Sequence, residues 1–297
     1  MAVSKDGIKE IVVLSGKGGT GKTSLTASFS ALAVNAVLAD CDVDAADLHL
    51  VLPPTVLEKH DFISGHEAMI DPSICTRCGL CQRHCTFEAI DQPDGTGYAV
   101  DPVRCEGCGV CVRLCPVHAI TFSEKVCGQW MVSQTRNGPM VHAHLYAAAE
   151  NSGKLVTLVR KEARKVAVAQ GRSLVLVDGP PGIGCPVIAS LTGADAVVLV
   201  TEPSLSGRHD MERLIALAQQ FAIPVFVCVN KYDVDEQQSK AIEQDCGGLE
   251  GVEYAGSIPY DEQVVKAQIA ALSPVEYSQG KTREAIKHIW ERVWSKM

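Results

Sequence analysis

No apolar run in this 297-residue chain approaches the roughly 18 residues of a membrane-spanning helix. There is no block of basic residues, and 27 Lys and Arg against 35 Asp and Glu give a formal net charge of −8. An acidic chain with only 5% aromatic residues is poorly equipped to follow a phosphate backbone or to stack on bases, so no nucleic-acid partner is expected. The opening MAVSKDGIKE lacks the apolar centre of a signal peptide, which points to a cytoplasmic protein without a membrane anchor. Hydrophobic residues at 46% and charged residues at 21% exclude a disordered chain. Cysteine is the residue in excess. Eight of the 13 cysteines lie between Cys75 and Cys115. Without an export signal, such clustering points to metal or redox cofactors rather than disulfides.

Short apolar runs recur at Ile11–Leu14, Ala36–Ala39, Leu174–Val177, Ala196–Val200 and Val225–Val229. They are continuous rather than alternating, as in strands buried on both faces. Helical patterns separate them, for example Arg208–Phe221 with Met211, Leu214, Ile215 and Ala218 in register. This predicts an α/β fold, a doubly wound and mostly parallel sheet. Residues 66–124 break the pattern. Asp71–Ile90 aligns without gaps on Asp101–Ile120, 30 residues later, and ten of the 20 positions are identical, including all four cysteines. A duplicated unit of this kind predicts an inserted α+β domain over 66–124, within a discontinuous domain of 1–65 and 125–297.

Gly16-Lys17-Gly18-Gly19-Thr20-Gly21-Lys22-Thr23 fits G-x-x-x-x-G-K-[ST] and stands between a predicted strand and a helix beginning near Lys22. Glycines let backbone N–H groups curl around phosphate oxygens, and the helix N-terminus adds its dipole. Lys22 is expected to neutralise the β- and γ-phosphates, and the Thr23 hydroxyl to ligate Mg²⁺. Lys17 is additional to this motif. GKGGTGKT resembles the deviant Walker A group of P-loop ATPases, which includes MinD, ParA, the Mrp-type scaffolds and the nitrogenase iron protein. The resemblance implies a nucleotide-sandwich dimer, of two copies or of this chain and a paralogue, in which Lys17 reaches the partner's phosphates. It further implies a switch I segment at Asp40–Asp44, with Asp42 as the residue that orients the attacking water and Asp40 and Asp44 as alternatives. Asp178-Gly179-Pro180-Pro181-Gly182 resembles switch II, where Asp178 holds Mg²⁺ through water and Gly182 senses the γ-phosphate. Asn230 and the loop with Pro259 and Asp261 are implied on the adenine side. The activity implied is ATP hydrolysis, slow without a partner.

Cys75-x2-Cys78-x2-Cys81-x3-Cys85 and Cys105-x2-Cys108-x2-Cys111-x3-Cys115-Pro116 have the spacing of bacterial two-cluster ferredoxins. In that pattern the fourth cysteine of each run serves the other cluster. Cys75, Cys78, Cys81 and Cys115 are therefore assigned to one [4Fe–4S] cluster, and Cys85, Cys105, Cys108 and Cys111 to the second. Two structural zinc sites are the alternative. Thr86 departs from the repeat, which has Pro116 at the equivalent place. The combination resembles MinD-superfamily ATPases that carry an inserted ferredoxin domain, along nearly the whole chain including Thr135–Arg160. Asn151-Ser152-Gly153 in that stretch reads as a hairpin turn.

Three functions follow as expectations. The first is ATP-gated electron transfer through the two clusters to a redox partner. The second is Mrp-type assembly or carriage of iron–sulfur or other metal clusters for a client protein. The third is a MinD-like positioning ATPase whose clusters sense redox state. Cys185 lies seven residues after Asp178, as a cluster cysteine does in the nitrogenase iron protein. With Cys127 it could supply a cluster bridging two subunits. Cys41, Cys228 and Cys246 read as packed thiols. His142 and His144 could share a strand face and a metal. Ile286, Ile289, Trp290, Val293 and Trp294 form one helical face, to dock on the core or on a membrane.

Overall fold

The computed structural model describes residues 7–297 apart from 94, 96, 147, 148 and 150. Its strands are β1 (Lys9–Ser15), β2 (Ala36–Asp40), β3 (Thr55–Ile70), β4 (Ile90–Asp91), β5 (Ala99–Val100), β6 (Ile120–Thr135), β7 (Gly138–Leu145), β8 (Leu174–Pro181), β9 (Ala196–Thr201), β10 (Val225–Asn230) and β11 (Val252–Ile258). Its helices are α1 (Lys22–Leu32), α2 (Leu48–Val51), α3 (Leu80–Arg83), α4 (Val110–Leu114), α5 (Ser152–Ala169), α6 (Cys185–Leu191), α7 (Leu205–Gln220), α8 (Glu236–Cys246), α9 (Gln263–Ile269), α10 (Pro274–Tyr277) and α11 (Lys281–Ser295). Among the described residues one nine-stranded sheet has the order β11-β10-β9-β1-β8-β2-β7-β6-β3, and β4 and β5 form a separate antiparallel pair. The pairs from β11 through β7 are parallel.

The chain divides into two compact units. The first comprises Met1–His60, Trp130–His144 and Ser152–Met297. Its centre is the set of parallel strands whose side chains are buried on both faces, so Val, Ile, Leu and Ala fill them without alternation. Helix α1 is enclosed along most of its length, from Lys22 and Ser24 to Ser30. The hydroxyls of Ser28 and Ser30 bond to carbonyls of their own helix, at 2.8 and 2.7 Å, and so remain satisfied in the interior. Helix α11 buries Ile286, Ile289, Trp290 and Val293, and the Trp290 ring lies 5.1 Å from that of Phe29. Its apolar face is therefore covered by the protein's own core, and only Trp294 of that face is largely exposed, at 44%. No helix among the described residues is long and apolar enough to cross a membrane.

Residues 135–144 and 152–160 belong to this unit, and several of them are tied into it. The Thr135 hydroxyl donates to Gly138 O at 2.8 Å across the two-residue turn between β6 and β7. The Arg136 guanidinium forks onto Glu276 at 2.6 and 2.8 Å and also donates to Val51 O. Met140 and Val141 are fully buried where β7 pairs with β2. Arg160 pairs with buried Glu10 on β1 and donates to Thr192 O, tying α5 to the sheet and to the end of α6. The hairpin expected at Asn151–Gly153 is not formed. Asn151 takes a left-handed conformation, φ 76°, and helix α5 starts at Ser152. Helix α5 has an apolar stripe of Leu155, Val156, Val159, Ala163 and Ala167, and burying it outweighs the local turn preference of Asn-Ser-Gly.

The second unit comprises Asp61–Gln129 and Leu145–Asn151. Its two repeats exchange backbone bonds. Asp71 N–H donates to Ala119 O and Asp101 N–H to Ala89 O, both at 2.8 Å. Within each repeat the first aspartate caps its own turn, Asp71 on Ser73 N and Asp101 on Val103 N.

His142 and His144 differ in their surroundings. His142 is buried, with Nε2 2.8 Å from the Ser133 hydroxyl, whereas His144 is exposed. Burial, with His49 and His144 nearby, pushes His142 down from 6.5 to about 4. The unfolded chain thus binds the proton more tightly. The stabilisation is complete above pH 6.5 and is lost as the pH falls towards 4. By pH 5 the loss is about 2 kcal/mol. Urea unfolding at pH 7 and pH 5 should show His142→Gln escaping most of that loss; parallel pH profiles for the two proteins would contradict this.

Candidate functional site

The loop Gly16–Gly21 leaves β1 and enters α1. Gly19 and Gly21 have φ of 81° and 92°, a region closed to most side chains. A Cβ at Gly21 would collide with the Asn230 side chain, and one at Gly16 with Asp210. Gly18 and Gly19 are exposed, whereas Thr20 is buried. The Asn230 carboxamide, at the end of β10, donates to Thr20 O at 2.8 Å, so this strand end grips the loop. No side chain caps α1, so its first N–H groups are left to the loop side.

Lys22 is 6% exposed and its ammonium has two carboxylate partners, Asp178 Oδ1 at 3.1 Å and Asp42 Oδ2 at 3.4 Å. Burial alone would lower its pKa, but Asp178, Asp42 and Asp40 outweigh this and raise it, so Lys22 is a buried cation. Asp178 lies fully buried on β8, opposite Asp40 on β2 and Val13 on β1. It accepts from the hydroxyls of Thr23 at 2.8 Å and Thr26 at 2.9 Å. Thr26, three residues beyond Thr23 on the same helix face, escaped the sequence reading. That i, i+3 spacing was the available signal.

Asp40 is fully buried, and burial together with the Asp178 carboxylate pushes it well above the usual range. It accepts from the N–H groups of Asp42 and Leu48, both at 3.3 Å, and so shapes the segment after β2. Asp42 is raised by burial and partly held down by Lys22, while Asp44 is exposed. Of the three carboxylates, Asp42 is the one bonded to the Lys22 ammonium.

Gly182, φ 87°, donates its N–H to Ser15 O at 3.0 Å, which joins the end of β8 to the start of the glycine loop. On the far side, Asn230 stands opposite Ile258 in the β10–β11 register, one residue before Pro259. The Asp261 carboxylate accepts from Thr282 Oγ1 at 2.7 Å and from Gln263 N at 2.9 Å. It therefore braces the loop against α11. Lys17 is 40% exposed, and its ammonium lies 3.5 Å from Glu202 Oε2.

In the second unit two cavities meet the cysteines. One is lined by Cys75, Cys78, Cys81 and Cys115 together with Gly79 and Tyr98. The other is lined by Cys85, Cys105, Cys108 and Cys111 together with Gly107 and Gly109. Each thus draws three cysteines from one repeat and the fourth from the other. Ala89 N–H donates to Cys85 Sγ at 3.3 Å and Ala119 N–H to Cys115 Sγ at 3.2 Å. Thr86 leaves this pattern intact, since Glu88 N–H bonds Cys85 O as His118 N–H bonds Cys115 O. Among the described residues no group of three or more His, Cys, Asp or Glu is arranged to hold a single metal ion. A four-iron cube is bulkier than an ion and needs its thiolates further apart, around a cavity. Four cysteines around one cavity are a donor set of the kind a four-iron cluster takes.

The remaining cysteines separate. Cys41, Cys228 and Cys246 are buried, and burial pushes the Cys228 thiol to about 12. Cys185 is exposed at the start of α6. Cys127 is 3% exposed and its thiol donates to Ser64 O at 3.0 Å.

A glycine loop between strand and helix, a buried lysine after it and carboxylates at adjacent strand ends define a P-loop nucleotide-binding protein. The family profile described as CobQ/CobB/MinD/ParA nucleotide binding domain matches residues 11–275, and the chain belongs to that family. It is a P-loop ATP hydrolase. Two uncharacterised proteins of Methanocaldococcus jannaschii are similar. MJ0578 is 30% identical over 293 residues, covering 96% of each chain. MJ0579 is 25% identical over 277 residues, covering 90% of this chain and 92% of its own. Among solved structures, MinD of Pyrococcus horikoshii complexed with Mg-ADP superposes with a TM-score of 0.60 at 18% identity, over 96% of both chains. Apo McdA of Cyanothece gives 0.56 at 14% identity, over 96% of this chain and 99% of its own. These two share the fold.

Thr26→Val tests the network. It removes one of three groups bound to a buried carboxylate and should cost about 1–3 kcal/mol in thermal or urea unfolding. Turnover should fall about tenfold with little change in nucleotide Kd, because the displaced Asp178 is the group tied to Thr23. Unchanged turnover would show that the Thr26 bond does not position Asp178.

Proposed function

We propose that this chain is an iron–sulfur P-loop ATPase in which nucleotide binding and hydrolysis, in a sandwich of two subunits, gate one-electron transfer through two [4Fe–4S] clusters. The observation that carries the reading is the pair of cavities, each lined by four cysteines taken crosswise from the two repeats. Cys75, Cys78, Cys81 and Cys115 would hold one cluster; Cys85, Cys105, Cys108 and Cys111 would hold the other. When bound, the clusters supply low-potential electron exchange. The amides of Ala89 and Ala119 stabilise negative charge on the sulfurs of Cys85 and Cys115. The exposed Cys78 and Cys108 bring each site to the surface where a redox partner can approach.

At the nucleotide, Lys22 leaves its carboxylate partners for the β- and γ-phosphates, as a cation that stays charged at any physiological pH. Thr23 and Asp178 would hold Mg²⁺, Thr23 directly and Asp178 through water. Asp42 orients the attacking water, Gly182 senses the γ-phosphate, and Asn230, Pro259 and Asp261 shape the adenine side. Lys17 reaches the phosphates of the partner subunit.

Cluster carriage for a client is the second reading, and the exposed Cys185 favours it. It is the weaker one, since the buried Cys127 leaves that site a single thiol per chain. A positioning ATPase is weaker still, because the terminal helix buries its apolar face.

Cysteine replacement tests the crosswise assignment. The anaerobically reconstituted protein should hold about eight irons per chain, four per cluster. Cys85→Ser should lose the cluster of Cys105, Cys108 and Cys111 and retain about four irons with one electron paramagnetic resonance signal. Cys115→Ser should retain the other signal. Loss from each variant of the cluster in its own repeat would refute the assignment, and iron near zero in the parent protein would refute the reading.

A further inference from the structure

Glu202 follows β9 directly and is shared by two lysines. Its Oε2 lies 3.5 Å from Lys17 Nζ, and its Oε1 accepts from Lys231 Nζ at 2.6 Å. The position of Glu202 is set by its backbone, because its carbonyl packs against Gly207, where a Cβ would collide with it. Lys231 is fixed equally well. It sits in a left-handed conformation, φ 56°, with its N–H bonded to Asn230 Oδ1 at 3.0 Å, and Asn230 in turn grips Thr20 O. Lys17 has the loosest hold of the three, with the longest contact and 40% exposure against 35% for Lys231 and 20% for Glu202.

We propose that Glu202 is a positioning residue that latches Lys17 within its own subunit, and that Lys231 sets the strength of the latch. This rests on the sandwich reading, in which Lys17 must leave Glu202 to reach the partner's phosphates. Departure separates one exposed ion pair, a small cost. Lys231 lowers it further. It repels Lys17 across the shared carboxylate, and it remains on Glu202 as counter-charge after Lys17 has gone. The latch holds Lys17 back without trapping it.

Replacing either partner of a structural ion pair would impair dimerisation in the same direction. A latch moves it in opposite directions. In sedimentation velocity with Mg²⁺ and a non-hydrolysable ATP analogue, Glu202→Gln should tighten the dimer about threefold, the size of one exposed ion pair. Lys231→Ala should weaken it by a similar factor, because Glu202 then belongs to Lys17 alone. Glu202→Gln with Lys231→Ala should behave as Glu202→Gln, a coupling that a double-mutant cycle reads directly. Melting temperatures identify any variant that has merely lost its fold, and Glu202→Asp serves as a second probe, since its shorter side chain should also loosen the latch. Shifts of the same sign for Glu202→Gln and Lys231→Ala, or no shift, would overturn the proposal. Lys17→Ala should abolish the nucleotide-dependent dimer in every background. A dimer that survives it refutes Lys17 as the trans residue, and a parent chain that never dimerises with nucleotide removes the sandwich reading and the latch with it.

Discussion

The nucleotide site depends on one buried carboxylate. Asp178 has no solvent contact, so its charge must be met by protein groups. Lys22, Thr23 and Thr26 meet it, all from the first turns of α1. That requirement docks the start of α1 on the end of β8 and so fixes where the glycine loop lies. Asn230 secures the loop from the other side. A charge-assisted bond to a buried group contributes about 1.5–3 kcal/mol, whereas an exposed ion pair contributes about 1 or less. The contrast between Lys22 and Lys17 follows. One is anchored in the interior, and the other is held lightly at the surface.

The cysteine unit solves a different constraint by duplication. Neither repeat alone surrounds a cavity with four thiols. Exchange of the Asp71–Ala119 and Asp101–Ala89 backbone bonds brings the fourth cysteine of each repeat to the other's cavity. Gly79 and Gly109 start α3 and α4 at φ 74° and 73°, which turns the chain tightly beside the sulfurs. Thr86 in place of proline changes none of the backbone bonds that set this turn.

Much of this was legible in the sequence because the signals were short-range. The glycine loop, the strand runs Leu174–Val177 and Val225–Val229, and the cysteine spacing are all local patterns whose geometry follows from residue type. Strands β3, β6 and β7 were not legible. Thr55–His60 in β3 is exposed throughout, so no buried face imposes alternation. Arg136, Asn137 and Arg160 were opaque for another reason. Their partners Glu276, Ser30 and Glu10 are 140, 107 and 150 positions away, and only the fold brings them together. The same applies to Glu202, which meets Lys17 and Lys231 from the end of a different strand. Asn151–Gly153 misled because a turn-forming tripeptide also suits the residue before a helix and its first turn.

The central claim is that the cysteine unit conducts electrons under control of the nucleotide and keeps its metal. It is tested most directly by counting iron. The reconstituted protein, under strict anaerobiosis, is incubated with an apo iron–sulfur acceptor, with and without Mg²⁺ and ATP. The account predicts that about eight irons per chain remain bound while ATP is consumed, four for each four-iron cluster. Iron leaving with ATP hydrolysis, with the acceptor becoming active, would contradict it and make the protein a cluster carrier.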